Sequence, residues 1–142
     1  MSEKVLLVDD EEDFLEVMSE RMQARGMQVE TCTSAEAAFE KIKAETFDAI
    51  ILDFMMPGID GMDALKKIKA KRPEAQIILL TGHGTIDKGV EAMKLGAMDF
   101  VEKPADFKEL LEKIMKAKDK RMLLVAKRHE ERIKELMKSK SW

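Results

Sequence analysis

A chain of 142 residues and 16.2 kDa has room for one compact domain with a short appendage. With 45% hydrophobic and 37% charged residues it reads as a globular chain, which excludes intrinsic disorder; no apolar run approaches the roughly 20 residues that span a bilayer. The net charge of -3 is uneven: residues 119–142 hold eight Lys/Arg against four Asp/Glu, so the body is acidic and the tail basic. An acidic body does not seek nucleic acid, and direct nucleic-acid binding is not expected.

The opening residues, Met1-Ser2-Glu3-Lys4, lack the basic stretch and cleavage site of a secretion signal. The lone Cys32 cannot form an internal disulfide, which fits a reducing compartment. A cytoplasmic protein with no membrane contact is therefore expected.

The first apolar run, Lys4 to Val8, predicts a strand. Phe14, Leu15, Met18 and Met22 then share one helical face, and Gly26 stands where a helix C-terminus wants glycine. A second strand is expected over Gln28 to Cys32, followed by a helix with Ser34 as N-cap and Ala38, Phe39 and Ile42 inward. The third strand spans Asp48 to Asp53, and Ala64, Leu65 and Ile68 mark the next helix. The fourth strand covers Gln76 to Leu80, with Ile86, Val90, Met93 and Ala97 as the expected buried face of the helix after it. Met98 to Glu102 is the fifth strand, and Asp106 to Glu109 resembles a capping box opening a fifth helix.

The runs Ala49-Ile50-Ile51-Leu52 and Ile77-Ile78-Leu79-Leu80 are apolar throughout, as in strands covered on both faces. Five strand–helix units predict a three-layer α/β sandwich with a parallel sheet. Pattern alone does not fix the strand order; of the two common ones, the five-strand flavodoxin-like order 2-1-3-4-5 suits this length. The twelve methionines read mostly as flexible core packing.

Ligands of such sheets sit beyond the carboxyl ends of the strands. Asp9 and Asp10 end the first strand, followed by Glu11 and Glu12; Asp53 ends the third, Thr81 follows the fourth, and Glu102-Lys103-Pro104 closes the fifth. Crowded carboxylates repel one another, and a divalent cation relieves that repulsion. Mg²⁺ favours oxygen ligands, with waters and phosphate oxygens completing its shell. Asp53 could then attack a phosphoryl group and form an acyl phosphate, with Lys103 as a neutralising cation and Thr81 as a hydrogen-bond donor. Each residue alone also has a plainer reading: Asp9 and Asp10 as an acidic helix cap, Thr81 as a turn hydroxyl, Phe100 as a core aromatic, Lys103 as a surface lysine.

Four motifs occur in order: Val8-Asp9-Asp10-Glu11; Asp53-Phe54-Met55-Met56-Pro57-Gly58 with Gly61; Leu80-Thr81-Gly82; and Phe100-Val101-Glu102-Lys103-Pro104. Over roughly residues 4 to 118 the sequence resembles the receiver domains of bacterial response regulators. The Thr81-to-Pro104 segment is similar to receivers that precede ATPase transcription activators. The resemblance implies a phosphoacceptor at Asp53, supplied by a histidine kinase or phosphotransfer protein. It implies Mg²⁺ held by Asp9, Asp10, Asp53 and the backbone carbonyl of Met55. It also implies a switch pair of Thr81 and Phe100, phosphoryl binding by Lys103, and a cis bond before Pro104.

Ala105 stands where the family often has phenylalanine, and Phe107 is expected to fill part of that volume. Positions 55 and 83 tune phosphate loss in the family; Met55 has no group to orient water, which implies slow self-dephosphorylation, and His83 is weighed as a metal ligand or base against a solvated loop residue. The alternatives are a receiver fragment of a larger transcription activator, an aspartyl-nucleophile phosphohydrolase, and an unphosphorylated scaffold. A hydrolase of that kind wants a second carboxylate two residues after the nucleophile, where Met55 stands, so an enzyme acting on an external substrate is not expected.

No Gly or Pro interrupts residues 105–142, so the fifth helix is expected to run on from the domain at 1–118 into an extension at 119–142. Met115, Met122, His129 and Leu136 recur every seven residues, with Ala126 and Ile133 between them. That seam would meet a symmetric partner, a downstream effector, or the body of its own chain; a homodimer through the helix is the favoured expectation.

Overall fold

The computed structural model describes residues 3–82 and 86–139. Strands β1 (Lys4–Val8), β2 (Gln28–Cys32), β3 (Ala49–Asp53), β4 (Ile77–Thr81) and β5 (Asp99–Glu102) alternate with helices α1 (Glu12–Gln23), α2 (Ala35–Ala44), α3 (Gly61–Lys71), α4 (Ile86–Lys94) and α5 (Phe107–Ser139). The five strands form one parallel sheet in the order β2-β1-β3-β4-β5. This is the order expected for the flavodoxin-like class.

Alternate residues along each strand feed two separate cores, because strand side chains point to opposite faces. Leu6, Val8, Ile50, Leu52, Ile77 and Leu79 pack with Ala38 and Ile42 of α2, Ala64, Leu65 and Ile68 of α3, and Ala92 of α4. Val5, Leu7, Ile51, Ile78 and Leu80 pack with Leu15, Met18 and Met22 of α1 and Leu110, Ile114 and Ala117 of α5. Every residue of β3 and β4 is buried, which explains their unbroken apolar sequence. Edge strand β2 retains exposed Gln28 and Thr31.

Local chemistry sets the helix starts. Ser34 accepts a hydrogen bond from Ala37 N at 3.2 Å, and Asp60 accepts one from Met62 N at 2.8 Å. α5 begins directly after Asp106, where the sequence places its start. Phe107 is buried against the α1–α5 core, and Ala105 is partly buried there too. The guanidinium of Arg21 lies 4.4 Å from the centre of the Phe107 ring.

One expectation needs correction. Val90 and Met93 are 48% and 42% exposed; the buried side of α4 carries Gly89 and Ala92 instead. The cause is Phe100, whose ring takes the space where larger α4 side chains would pack: a Cβ on Gly89 would lie 2.7 Å from Phe100 Cγ. The methionines divide: Met18, Met22, Met27 and Met56 are buried and Met62 and Met98 pack against the two cores, while Met55, Met93, Met115, Met122 and Met137 are exposed.

α5 leaves the sheet at its amino-terminal edge. Glu3, Asp48 and Glu74 precede β1, β3 and β4, and Lys118, Arg121 and Arg128 reach them at 3.2, 3.3 and 3.4 Å. The order of the three cations along the helix follows the order of the strands across the sheet. The tail is thus drawn under its own body, although Met122, Ile133 and Leu136 of the heptad seam remain exposed.

Gly61 opens α3 directly under the Phe54 ring. Gly61→Ala puts a Cβ 2.7 Å from Phe54 Cδ2 and 2.8 Å from the Phe54 carbonyl oxygen, a backbone atom that cannot swing aside. The variant is expected to lose about 1–3 kcal/mol of stability in equilibrium urea unfolding, as overpacked sites do; an unchanged midpoint would contradict this packing.

Candidate functional site at the carboxyl edge of the sheet

The parallel register brings the chemistry to one edge. Val8 pairs with Leu52, Asp53 with Leu80, and Thr81 with Glu102, so Asp9, Asp53, Thr81 and Lys103 all emerge at the same level. Backbone bonds fix these exits: Asp9 N donates to Cys32 O at 3.1 Å, Phe54 N to Leu80 O at 2.9 Å, and Lys103 N to Thr81 O at 2.8 Å.

Asp9 and Asp53 are buried and Asp10 is exposed. Ligand oxygens from all three lie within 4.8 Å of one another. Each buried carboxylate binds the backbone two residues on: Asp9 Oδ1 accepts from Glu11 N at 2.9 Å, and Asp53 Oδ1 from Met55 N at 3.0 Å. These local bonds aim the other carboxylate oxygen of each residue into the site.

Lys103 occupies the centre. Its Nζ is 2.9 Å from Asp9 Oδ2, 3.4 Å from Asp53 Oδ2 and 3.2 Å from Glu11 Oε1. The contact with Asp9 is a close ion pair, and the ammonium is the partner of the buried Asp9 Oδ2. The ammonium also sits 5.2 Å from the centre of the Phe14 ring. The peptide bond from Lys103 to Pro104 is cis, as the resemblance implies.

Electrostatics follow from this packing. Burial pushes the Asp53 carboxyl above its ordinary range; the Met55 N–H pulls it back, the Asp9 charge adds to the rise, and Lys103 opposes it. Burial alone would lower the Lys103 pKa, but close Asp9, the charge of Asp53 and nearby Glu11 outweigh it and hold the lysine above its usual value. The ammonium is therefore firmly protonated.

Thr81 is buried, with its Oγ1 donating to Val101 O over 3.4 Å, a long and weak bond. Phe100 is half-buried and packs on the core beneath α4. Met55 stands 61% exposed at the mouth of the site. Thus Asp9, Asp10, Asp53, Met55, Thr81 and Lys103 assemble at one edge, with Phe100 on the neighbouring strand; His83 lies outside the described residues. Sequence reasoning missed the part played by Glu11 and Phe14, which both hold Lys103. Glu11 carried a signal, since it follows Asp9 at the spacing of a side-chain-to-backbone turn.

The family model of the response regulator receiver domain matches residues 5–115. The chain belongs to that family. Over 124 residues it is 36% identical to the C4-dicarboxylate transport transcriptional regulatory protein DctD of Rhizobium meliloti, covering 87% of this chain and 27% of that protein. A receiver from Clostridium thermocellum superposes with a TM-score of 0.82 at 32% identity, over 87% of this chain and 99% of that one. The beryllofluoride-activated NtrC4 receiver domain dimer gives a TM-score of 0.78 at 36% identity, over 83% and 98%. The receiver spans about a quarter of the length of the first curated relatives it matches. Among the described residues no helix is long and apolar enough to cross a membrane.

Because the folded site raises the Asp53 pKa, its ionised carboxylate costs stability. That cost is complete above the folded pKa, shrinks as pH falls through it, and vanishes below the unfolded value. In a chelating buffer, Asp53→Asn is therefore expected to raise the melting temperature at neutral pH, with the gain fading on acidification. A lower melting temperature at pH 7 would show that Asp53 is held as a favourable ion.

Proposed function

We propose that this receiver takes a phosphoryl group on Asp53 from a histidine kinase or phosphotransfer protein and responds by changing a protein–protein contact surface. The observation that carries the reading is one lysine ammonium held between two buried carboxylates at the ends of β1 and β3. A structural ion pair needs only one carboxylate; a second, crowded one supplies a nucleophile with a cation already beside it.

A metal fits the donor set. The three aspartates offer hard oxygens close together, and Asp9 Oδ2 is buried and faces the site with a lysine ammonium as its counter-charge. Asp9, Asp10, Asp53 and the backbone carbonyl of Met55 would hold Mg²⁺, which when bound would neutralise the carboxylates and the oxygens of an incoming phosphoryl group.

The residues of the chain then divide the work. An Asp53 carboxylate oxygen forms the bond to phosphorus as the bond from phosphorus to the donor nitrogen breaks, leaving an acyl phosphate. Lys103 balances the charge on the phosphoryl oxygens. Thr81 gives up its weak bond to Val101 O and donates to one of those oxygens. Phe100 repacks beside it and alters the surface of α4, β5 and α5. Val90 and Met93 of α4, Leu95 just after it and Met115 of α5 are exposed for a downstream effector. The outcome is a population shift in the receiver, with no turnover of an external substrate.

Residues 1–118 form the receiver in this reading, and 119–142 a helical extension whose exposed seam pairs two copies. The protein works in the cytoplasm, as a separate regulator or as the receiver part of a larger transcription activator.

Acetyl phosphate with Mg²⁺ is expected to add one phosphoryl group to the protein and none to Asp53→Asn, read by intact mass. Light scattering on the same samples with beryllofluoride is expected to show a rise in dimer. Failure of the native chain to label would overturn the phosphoacceptor assignment. Met55→Asn is expected to shorten the acyl-phosphate lifetime, because the amide can orient an attacking water where the thioether cannot. An unchanged lifetime would remove Met55 from the mechanism.

A further inference from the structure

Two aromatic rings flank the site, and consecutive residues of α4 touch both. Gly89 lies against the Phe100 ring so closely that a Cβ there would fall within 2.9 Å of three of its atoms. Lys88, one residue earlier, places its Nζ 5.5 Å from the centre of the Phe54 ring, a separation at which ammonium and ring attract. Phe54 directly follows Asp53, is buried, and is fixed from two sides: its N–H bonds Leu80 O at 2.9 Å, and its ring abuts Gly61. Lys88 also closes one wall of a cleft of about 330 Å³ lined by Phe54, Met55, Pro57, Ile59 and Gly61 among others.

We infer that Lys88 is a positioning residue: its contact with Phe54 holds α4 in the arrangement of the unmodified receiver. The inference rests on the reading of Asp53 as phosphoacceptor. Phe54 is covalently joined to Asp53, so any shift of the acceptor loop reaches the ring through a single peptide unit. The ring passes it to α4 through Lys88, alongside the route through Thr81, Phe100 and Gly89. A contact made in one state and weakened in the other biases the equilibrium between them, and its removal favours the second state. Lys88 lies outside the acidic cluster and takes no part in phosphoryl transfer.

The experiment is beryllofluoride titration of the full chain with Mg²⁺, combined with amide exchange over residues 86–94. Lys88→Met is expected to tighten apparent beryllofluoride binding about two- to fivefold, the weight of one exposed cation–π contact, and to shift α4 exchange toward the activated pattern before any addition. Lys88→Arg, which keeps the cation over the ring, is expected to restore native behaviour. Phe54→Leu should match Lys88→Met, and the double variant should show no further gain. Unchanged or weaker binding in Lys88→Met, with native binding intact, would overturn this inference alone. Absence of binding in the native chain would overturn the phosphoacceptor reading and this inference with it.

Discussion

A lysine ammonium between two buried carboxylates organises the carboxyl edge of this receiver. Asp9 and Asp53 crowd one another in a desolvated corner, where like charges are costly. Lys103 makes the crowding tolerable, and its position depends on the whole sheet: β5 must lie beside β4, β4 beside β3 and β3 beside β1 for that nitrogen to reach both acids. The site is thus a product of strand order. A slip of one residue in any ladder would send these side chains to the opposite face and dissolve the cluster.

The rest of the edge follows from the same constraint. Asp9 and Asp53 each spend one oxygen on a backbone N–H two residues on, which leaves one oxygen for the shared cation. Phe54 and Phe100 fill the flanks, and both lean on glycines, Gly61 and Gly89, because ring and helix backbone meet with no room for a Cβ. The α4 helix consequently has little apolar surface of its own facing inward, and its larger side chains, Val90 and Met93, are left outside.

Most of this was legible in the residues. Continuous apolar runs marked β3 and β4 as strands covered on both faces, and β1 and β2 appear with the bounds their sequences suggest. Placing Asp9, Asp53, Thr81 and Lys103 at strand ends was enough to gather them. Periodicity failed at α4, where the apolar stripe through Val90 and Met93 suggested the buried face; a glycine inside a helix, costly without a reason, was the better guide. The ion pairs of Lys118, Arg121 and Arg128 with Glu3, Asp48 and Glu74 left no local mark, since each joins residues distant in sequence. The seam called attention to one side of the tail, while a neighbouring side already had partners.

The continuity of α5 has a mechanical meaning. Its 33 residues make a rod of roughly 50 Å, whose first turns belong to the core beneath β5 and whose last turns stand clear of the body. Three cations on one flank rest on the acidic floor of the sheet and act as a fulcrum. The direction of the tip is thus set by the amino-terminal floor of the sheet as much as by the core beneath β5.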